Sequence, residues 1–111
     1  MPLNNITAAQ LEYFEIEPPA AHSPSVADTW EAWDISAHVP PSAKFAEIWW
    51  LRKTSNGNVG VRETGSSVER KYSRMQDECG NFTVACAGQA IECISGATAN
   101  HSYYYVIGYW E

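Results

Sequence analysis

The 111-residue chain predicts an all-β fold: an antiparallel β-sandwich or jelly roll of seven to eight strands with an extended N-terminal arm. Three observations predict it. Short stretches of alternating apolar and polar residues recur along the chain, separated by turn residues. No segment of ten or more residues shows a convincing helical period. The chain closes on Ser102-Tyr-Tyr-Tyr-Val-Ile-Gly-Tyr-Trp110, which holds five of its fourteen aromatic side chains. So aromatic and β-branched a run is stable only as a strand with covered faces. That many short strands in about a hundred residues suit a sandwich or jelly roll, with a closed barrel as the alternative.

The first segment, residues 1–27, is expected to be the arm, with one strand in it; residues 28–111 are expected to form the sandwich. Residues 1–10 carry no periodicity. Leu11 to Glu17 alternates, with Glu12, Phe14 and Ile16 on one face, until Pro18-Pro19 removes two ladder donors. Ala20 to Ala27 is small, polar and proline-containing, hence a loop. Asp28 to Ser36 alternates around Thr29, Glu31, Trp33 and Ile35, and His38 to Ala43 turns on two prolines. Lys44 to Thr54 is the strongest internal strand, with Phe45, Glu47, Trp49 and Leu51 on one face and Ala46, Ile48, Trp50 and Arg52 on the other. Ser55-Asn-Gly-Asn58 carries the Asn-Gly pair of type I′ hairpins, so Val59 to Glu63 is expected to return as the antiparallel partner. Val68 to Met75 is a weaker strand. Asn81 to Cys86 and Gln89 to Ile94 are expected to pair across a tight turn at Ala87-Gly88.

Composition narrows the function. The length allows one domain with one core, and an apolar share of 45% argues against disorder. A formal charge of −6, with only seven scattered basic residues, argues against nucleic-acid binding. Arg52-Lys53 and Arg70-Lys71, the adjacent basic pairs, read as solvated charge. No stretch is long and apolar enough to span a membrane as a helix, and the N-terminus lacks the pattern of a secretory signal, so assembly in a host cytoplasm is expected. Cys79, Cys86 and Cys93 recur every seven residues. Their odd number leaves one unpaired within the chain, and their spacing matches no zinc site, so they read as small hydrophobes in strands. Asn5, Asn81 and Asn100 open sequons that carry little weight without a secretion signal.

No catalytic constellation stands out, and no enzyme or cofactor is expected. His22, His38 and His101 fall in predicted loops without ligand spacing and read as solvent-exposed; nucleophile-elbow, phosphate-loop and dinucleotide motifs are absent. Arg62 reads as a planar fork tying strand to turn rather than a ligand grip, with Gly65 supplying a positive φ, Ser66 bonding local backbone and Arg70 nearby. Five tryptophans exceed what a core of this size needs, so some must be partly exposed or face a partner. Trp49, Trp50, Tyr103, Tyr105 and Tyr109 are the candidate contacts to a partner or a glycan. Tyr103, Tyr105, Ile107 and Tyr109 have the two-residue spacing of a one-face platform.

Val39-Pro-Pro-Ser-Ala43, Val59-Gly-Val-Arg-Glu-Thr-Gly-Ser-Ser67 with Arg70, and the closing Tyr-Val-Ile-Gly-Tyr-Trp resemble small β-sandwich virion structural proteins of tailed phages and archaeal viruses. The likeness covers roughly residues 30–111. It implies a non-enzymatic virion protein, a capsid decoration subunit by preference. Such a protein works as a homo-oligomer, a trimer by preference, and binds the major capsid protein or another virion protein. A carbohydrate- or receptor-binding module of a tail or spike is the alternative.

Overall fold

A computed structural model of the protein describes residues 11–53, 55–96 and 98–111. Eight strands form the chain: β1 (Tyr13–Glu15), β2 (Glu31–Asp34), β3 (Phe45–Arg52), β4 (Gly57–Glu63), β5 (Lys71–Arg74), β6 (Cys79–Ala85), β7 (Ala90–Ser95) and β8 (Ser102–Trp110). They make two four-stranded antiparallel sheets, one in the order β1-β8-β3-β6 (sheet A) and one in the order β2-β7-β4-β5 (sheet B). Every consecutive pair except β4 and β5 either changes sheet or wraps around the sandwich, which is the jelly-roll path. The segment expected to be an arm supplies β1, whose Phe14 stacks on Tyr109 and whose neighbour Ile16 packs against the core.

The alternation of β3 places Ala46, Ile48, Trp50 and Arg52 inward, all buried. They meet Val106 and Tyr104 from β8, Val84 from β6, and Val59, Val61, Ile91 and Cys93 from sheet B. The terminal strand is central, hydrogen-bonded to β1 on one side and β3 on the other.

Two expected hairpins do not exist. β4 does not pair with β3; it lies in sheet B between β7 and β5. The Asn-Gly turn is a corner between sheets, and neither Asn56 nor Gly57 takes the positive φ of a type I′ turn. Glycine is needed at 57 for another reason: a Cβ there would collide with the Arg52 guanidinium and lie 2.5 Å from the Gly96 carbonyl oxygen. Likewise β6 joins sheet A and β7 joins sheet B, separated by a 3-10 turn at Ala87–Gln89 in which Gly88 has φ 73°.

Arg52 also departs from expectation. Far from solvated, it is fully buried. Its Nε donates to the Ser55 carbonyl at 2.9 Å, and its terminal nitrogens donate to Ser102 Oγ and the Gly96 carbonyl at 2.8 Å, and to Ser95 Oγ, Ser55 Oγ and the Asn56 carbonyl at 3.2 Å. Every acceptor is neutral, and burial lowers the guanidinium pKa. This one side chain ties the β3–β4 corner to the β7–β8 loop.

Residues 20–27 are a strap rather than a free loop. His22 pairs backbone with Tyr104 in sheet A, and Ala27 bridges Ser95 in sheet B. The His22 ring, expected in solvent, stacks on Trp33 at 4.6 Å between centroids and 9° between planes, and its Nε2 has no hydrogen-bond partner among the described residues. Burial lowers the His22 pKa, against a smaller opposing effect of Glu31. The folded state therefore holds this proton less tightly than the unfolded chain, so the contribution is complete above the unfolded pKa of about 6.5 and is lost as pH falls through the lowered folded pKa. Thermal melts of His22→Phe should show a shallower fall in Tm between neutral and mildly acidic pH than the parent. Equal slopes would contradict the assignment.

Candidate functional site

The two outer faces of the sandwich differ in kind. On sheet B the chain covers its outward arginine. Arg62 points outward opposite Glu92, its Nε donating to Glu92 Oε1 at 2.6 Å and its NH1 to Glu69 Oε2 at 2.8 Å. The Trp30 ring covers the guanidinium, 4.2 Å from its carbon, and the indole N–H donates to Glu69 at 2.9 Å. Lys71 adds a longer contact to Glu69 at 3.5 Å. The turn behaves as its residues require: Gly65 has φ 83°, and Ser66 Oγ accepts from the Val68 N–H at 3.1 Å. Arg70 is exposed. Two carboxylates hold the Arg62 guanidinium at Nε and NH1, and the Trp30 ring covers it.

Sheet A presents a different surface. The outward positions of β3 are Phe45, Glu47, Trp49 and Leu51, each at least partly exposed. Across from them on β8 lie Trp110, Tyr105 and Tyr103, paired respectively with Phe45, Trp49 and Leu51. Tyr13 from β1 adds a ring 5.0 Å from that of Trp110. Phe45 and Tyr13 are exposed, and Trp49, Tyr103, Tyr105 and Trp110 are partly exposed. Clustered rings on one outer face make it the candidate site.

The platform expected along β8 is broken by a β-bulge. The register shifts between Glu47 and Ile48, which pair with Gly108 and Val106, so Ile107 is the extra residue. From there the alternation inverts, and Tyr109 pairs with the buried Ala46 and packs on the core. Gly108 sits where the Tyr13 phenol crosses the sheet, and a Cβ there would occupy the ring's own position. Trp50, also expected at the surface, is 6% exposed and points into the sandwich. Trp49, Tyr103 and Tyr105 do lie on the outer face. The Trp49 and Tyr105 rings are 5.1 Å apart but tilted by 46°, so they do not form one plane. A shallow opening of about 250 Å³ lies beside Tyr103 and Tyr105, lined also by Leu51, Lys53 and Ala21.

Two members of this face were not among the candidate contacts. Phe45 and Trp110 are cross-strand neighbours at one end of it. Their outward direction followed from the β3 alternation and, for Trp110, from a bulge that alternation cannot reveal. A larger apolar groove of about 600 Å³ opens at the same end, lined by Leu11, Ala43, Lys44, Phe45, Ala85, Ala87 and Glu63.

The three thiols are free; Cys86 and Cys93 are buried and Cys79 is exposed on β6. Burial raises the pKa of both buried thiols.

No family model and no curated protein matches the sequence. Among solved structures, the chain is similar to the coat protein dimer of Tobacco streak virus, with a TM-score of 0.51 and 13% identity over 95% of this chain and 85% of that one. A second crystal form of the same coat protein gives a TM-score of 0.50 and 12% identity over the same shares. At such identity the likeness establishes the fold alone: an antiparallel β-sandwich similar to that of this coat protein.

Proposed function

We propose that this chain is a non-enzymatic structural subunit of a virion, a capsid decoration protein by preference, which associates with copies of itself and with other virion protein through the outer face of sheet A. The contrast between the two sheets carries the reading. A monomer that spends Trp30, Glu69 and Glu92 on covering Arg62 of one sheet leaves Phe45 exposed and Trp49, Tyr105 and Trp110 partly exposed on the other. Burying such rings is worth about 25 cal/mol per Å² of apolar area removed from water, so their exposure favours a partner. The resemblance to phage and archaeal-virus proteins and the fold shared with a plant-virus coat protein both support a place in a particle.

Mass spectrometry of density-purified particles from the source culture should find the chain in stoichiometric amount. Its absence from particles, with abundance in the surrounding lysate, would overturn the reading. The opening beside Tyr103 and Tyr105 supports a second reading, a glycan- or receptor-binding module, although the tilted rings offer a sugar no flat surface. Glycan-array binding lost in Trp49→Ala or Tyr105→Ala, with circular dichroism unchanged, would favour that second reading.

A further inference from the structure

Two four-stranded sheets leave four edge strands, and three of them are guarded. β1 is three residues long, lies among Glu12, Glu15 and Glu17, and is followed by Pro18-Pro19. β2 and β5 have four residues each and carry charge at both ends, Glu31 and Asp34 on one, Lys71 and Arg74 on the other. Short strands, charges and prolines keep an edge from pairing with another chain. β6 has none of these. Its seven residues, Cys79-Gly-Asn-Phe-Thr-Val-Ala85, include no charge and no proline, and its ladder with β3 runs without a bulge.

That ladder also fixes which groups are open. At one end the Cys86 N–H donates to the Lys44 carbonyl at 3.1 Å, and at the other the Arg52 N–H donates to the Glu78 carbonyl at 2.9 Å. Antiparallel pairs alternate between bonded and non-bonded, so the even-numbered residues of β6 turn their N–H and C=O to β3. Those of Cys79, Asn81, Thr83 and Ala85 point away from it, and no described residue pairs with them.

The same strand, reversed, is their complement. A two-fold axis perpendicular to the sheet at the level of Phe82 sets Cys79 opposite Ala85 of the second copy and Asn81 opposite Thr83. All four residues then fall in bonded pairs, two hydrogen bonds to each pair. An axis at Asn81 or at Thr83 leaves Ala85 or Cys79 without a partner in β6. The side chains match in the same register: small against small, amide against hydroxyl, and ring against ring at the axis. Phe82 already stacks on Tyr72 of β5, 6.3 Å between centroids and 19° between planes, and Tyr72 is 51% exposed. Four rings therefore meet where the copies join.

We propose that the β6 edge binds a second copy of this chain, β6 to β6 and antiparallel, joining two sheets A into one of eight strands. The pairing sets the two aromatic outer faces side by side and uses neither of them. A strand of about 24 Å and a two-sheet depth of about 20 Å give roughly 500 Å² per partner. That is below the roughly 800 Å² of stable complexes, so the dimer is concentration-dependent.

The exposed Cys79 makes the register testable. Across the joined edge it lies about 5.5 Å, between Cα atoms, from Ala85 of the other copy, a span that suits a disulfide, whereas the two Cys79 are about 20 Å apart. The full chain carrying Ala85→Cys is oxidised with copper phenanthroline from micromolar to near-millimolar concentration and read on non-reducing gels, each variant checked for folding by circular dichroism. It is expected to give a covalent dimer at least tenfold faster than the parent, or than Ala85→Cys combined with Cys79→Ser. Adding Asn81→Pro removes an edge donor but none of the bonds to β3, and is expected to slow the cross-link about tenfold. Adding Trp49→Glu on the outer face is expected to leave the rate unchanged. Equal rates in the single-thiol proteins, or no covalent dimer at any concentration, would overturn the edge pairing. So would a cross-link lost with Trp49→Glu and kept with Asn81→Pro, which would leave the outer face as the site of self-association.

Discussion

Arg52→Met is expected to destabilise the domain by about 4 kcal/mol, within the range for breaking a buried charged network. Methionine fills most of the same volume, so the loss is not mainly a cavity. It comes from oxygens that remain. The Gly96, Ser55 and Asn56 carbonyls are backbone and lose their donors from the guanidinium. Ser95 Oγ and Ser102 Oγ are less affected, because they also donate to the Thr98 and Asn58 carbonyls. A buried ion pair can be replaced by apolar residues at little cost when both partners are exchanged, but here the partners are main-chain atoms that no substitution removes. Arg52→Lys keeps the charge and loses the planar fork, so it should cost less, about 2 kcal/mol. Urea denaturation should rank the parent above lysine and lysine above methionine. Methionine equal to or above lysine would mean that relief of desolvation outweighs the lost bonds.

Tyr104→Phe is expected to cost about 2 kcal/mol. Tyr104 stands on the terminal strand of sheet A, is fully buried, and reaches across the sandwich to sheet B. Its hydroxyl donates to the Ile94 carbonyl at 2.6 Å and accepts from the Gly60 N–H at 2.9 Å. Phenylalanine keeps the ring and orphans both groups where water does not reach. Burial pushes the Tyr104 pKa well up, so the folded state holds its proton more tightly than the unfolded chain. That contribution is complete below the unfolded tyrosine pKa of about 10 and declines as pH rises above it. The variant should be less stable at neutral pH and lose less on alkalinisation. The buried Cys93 thiol, also raised, keeps its own share in both proteins. An unchanged urea midpoint at neutral pH would show that the two groups find other partners.

The strands themselves were legible because alternation records which face is buried. On β3 it placed Ala46, Ile48, Trp50 and Arg52 on one side, and all four are inside. It also made Arg52 visible as an inward residue, although a basic pair invites a solvated reading. Pairing was not legible. Asn56-Gly57 has the residues of a hairpin, but its glycine is there to clear a guanidinium, and β4 pairs instead with β5 and with β7, about thirty residues downstream. The same holds for Cys79–Ala85 and Ala90–Ser95, which flank a turn yet lie in different sheets. Local sequence reports propensity, whereas sheet membership is settled by contacts distant in sequence. In the candidate face, Trp49, Tyr103 and Tyr105 were found by period. Tyr109 was misplaced because a single inserted residue, Ile107, inverts everything after it.

The most direct test of the central claim is hydroxyl-radical footprinting of the full chain at low and high concentration. If the outer face of sheet A is the association surface, Phe45, Trp49, Tyr105 and Trp110 lose reactivity as concentration rises, while Trp30 on the side of sheet B does not. Protection confined to Tyr72 and Met75, or to Trp30 above the Arg62 network, with Trp49 and Tyr105 unchanged, would contradict it.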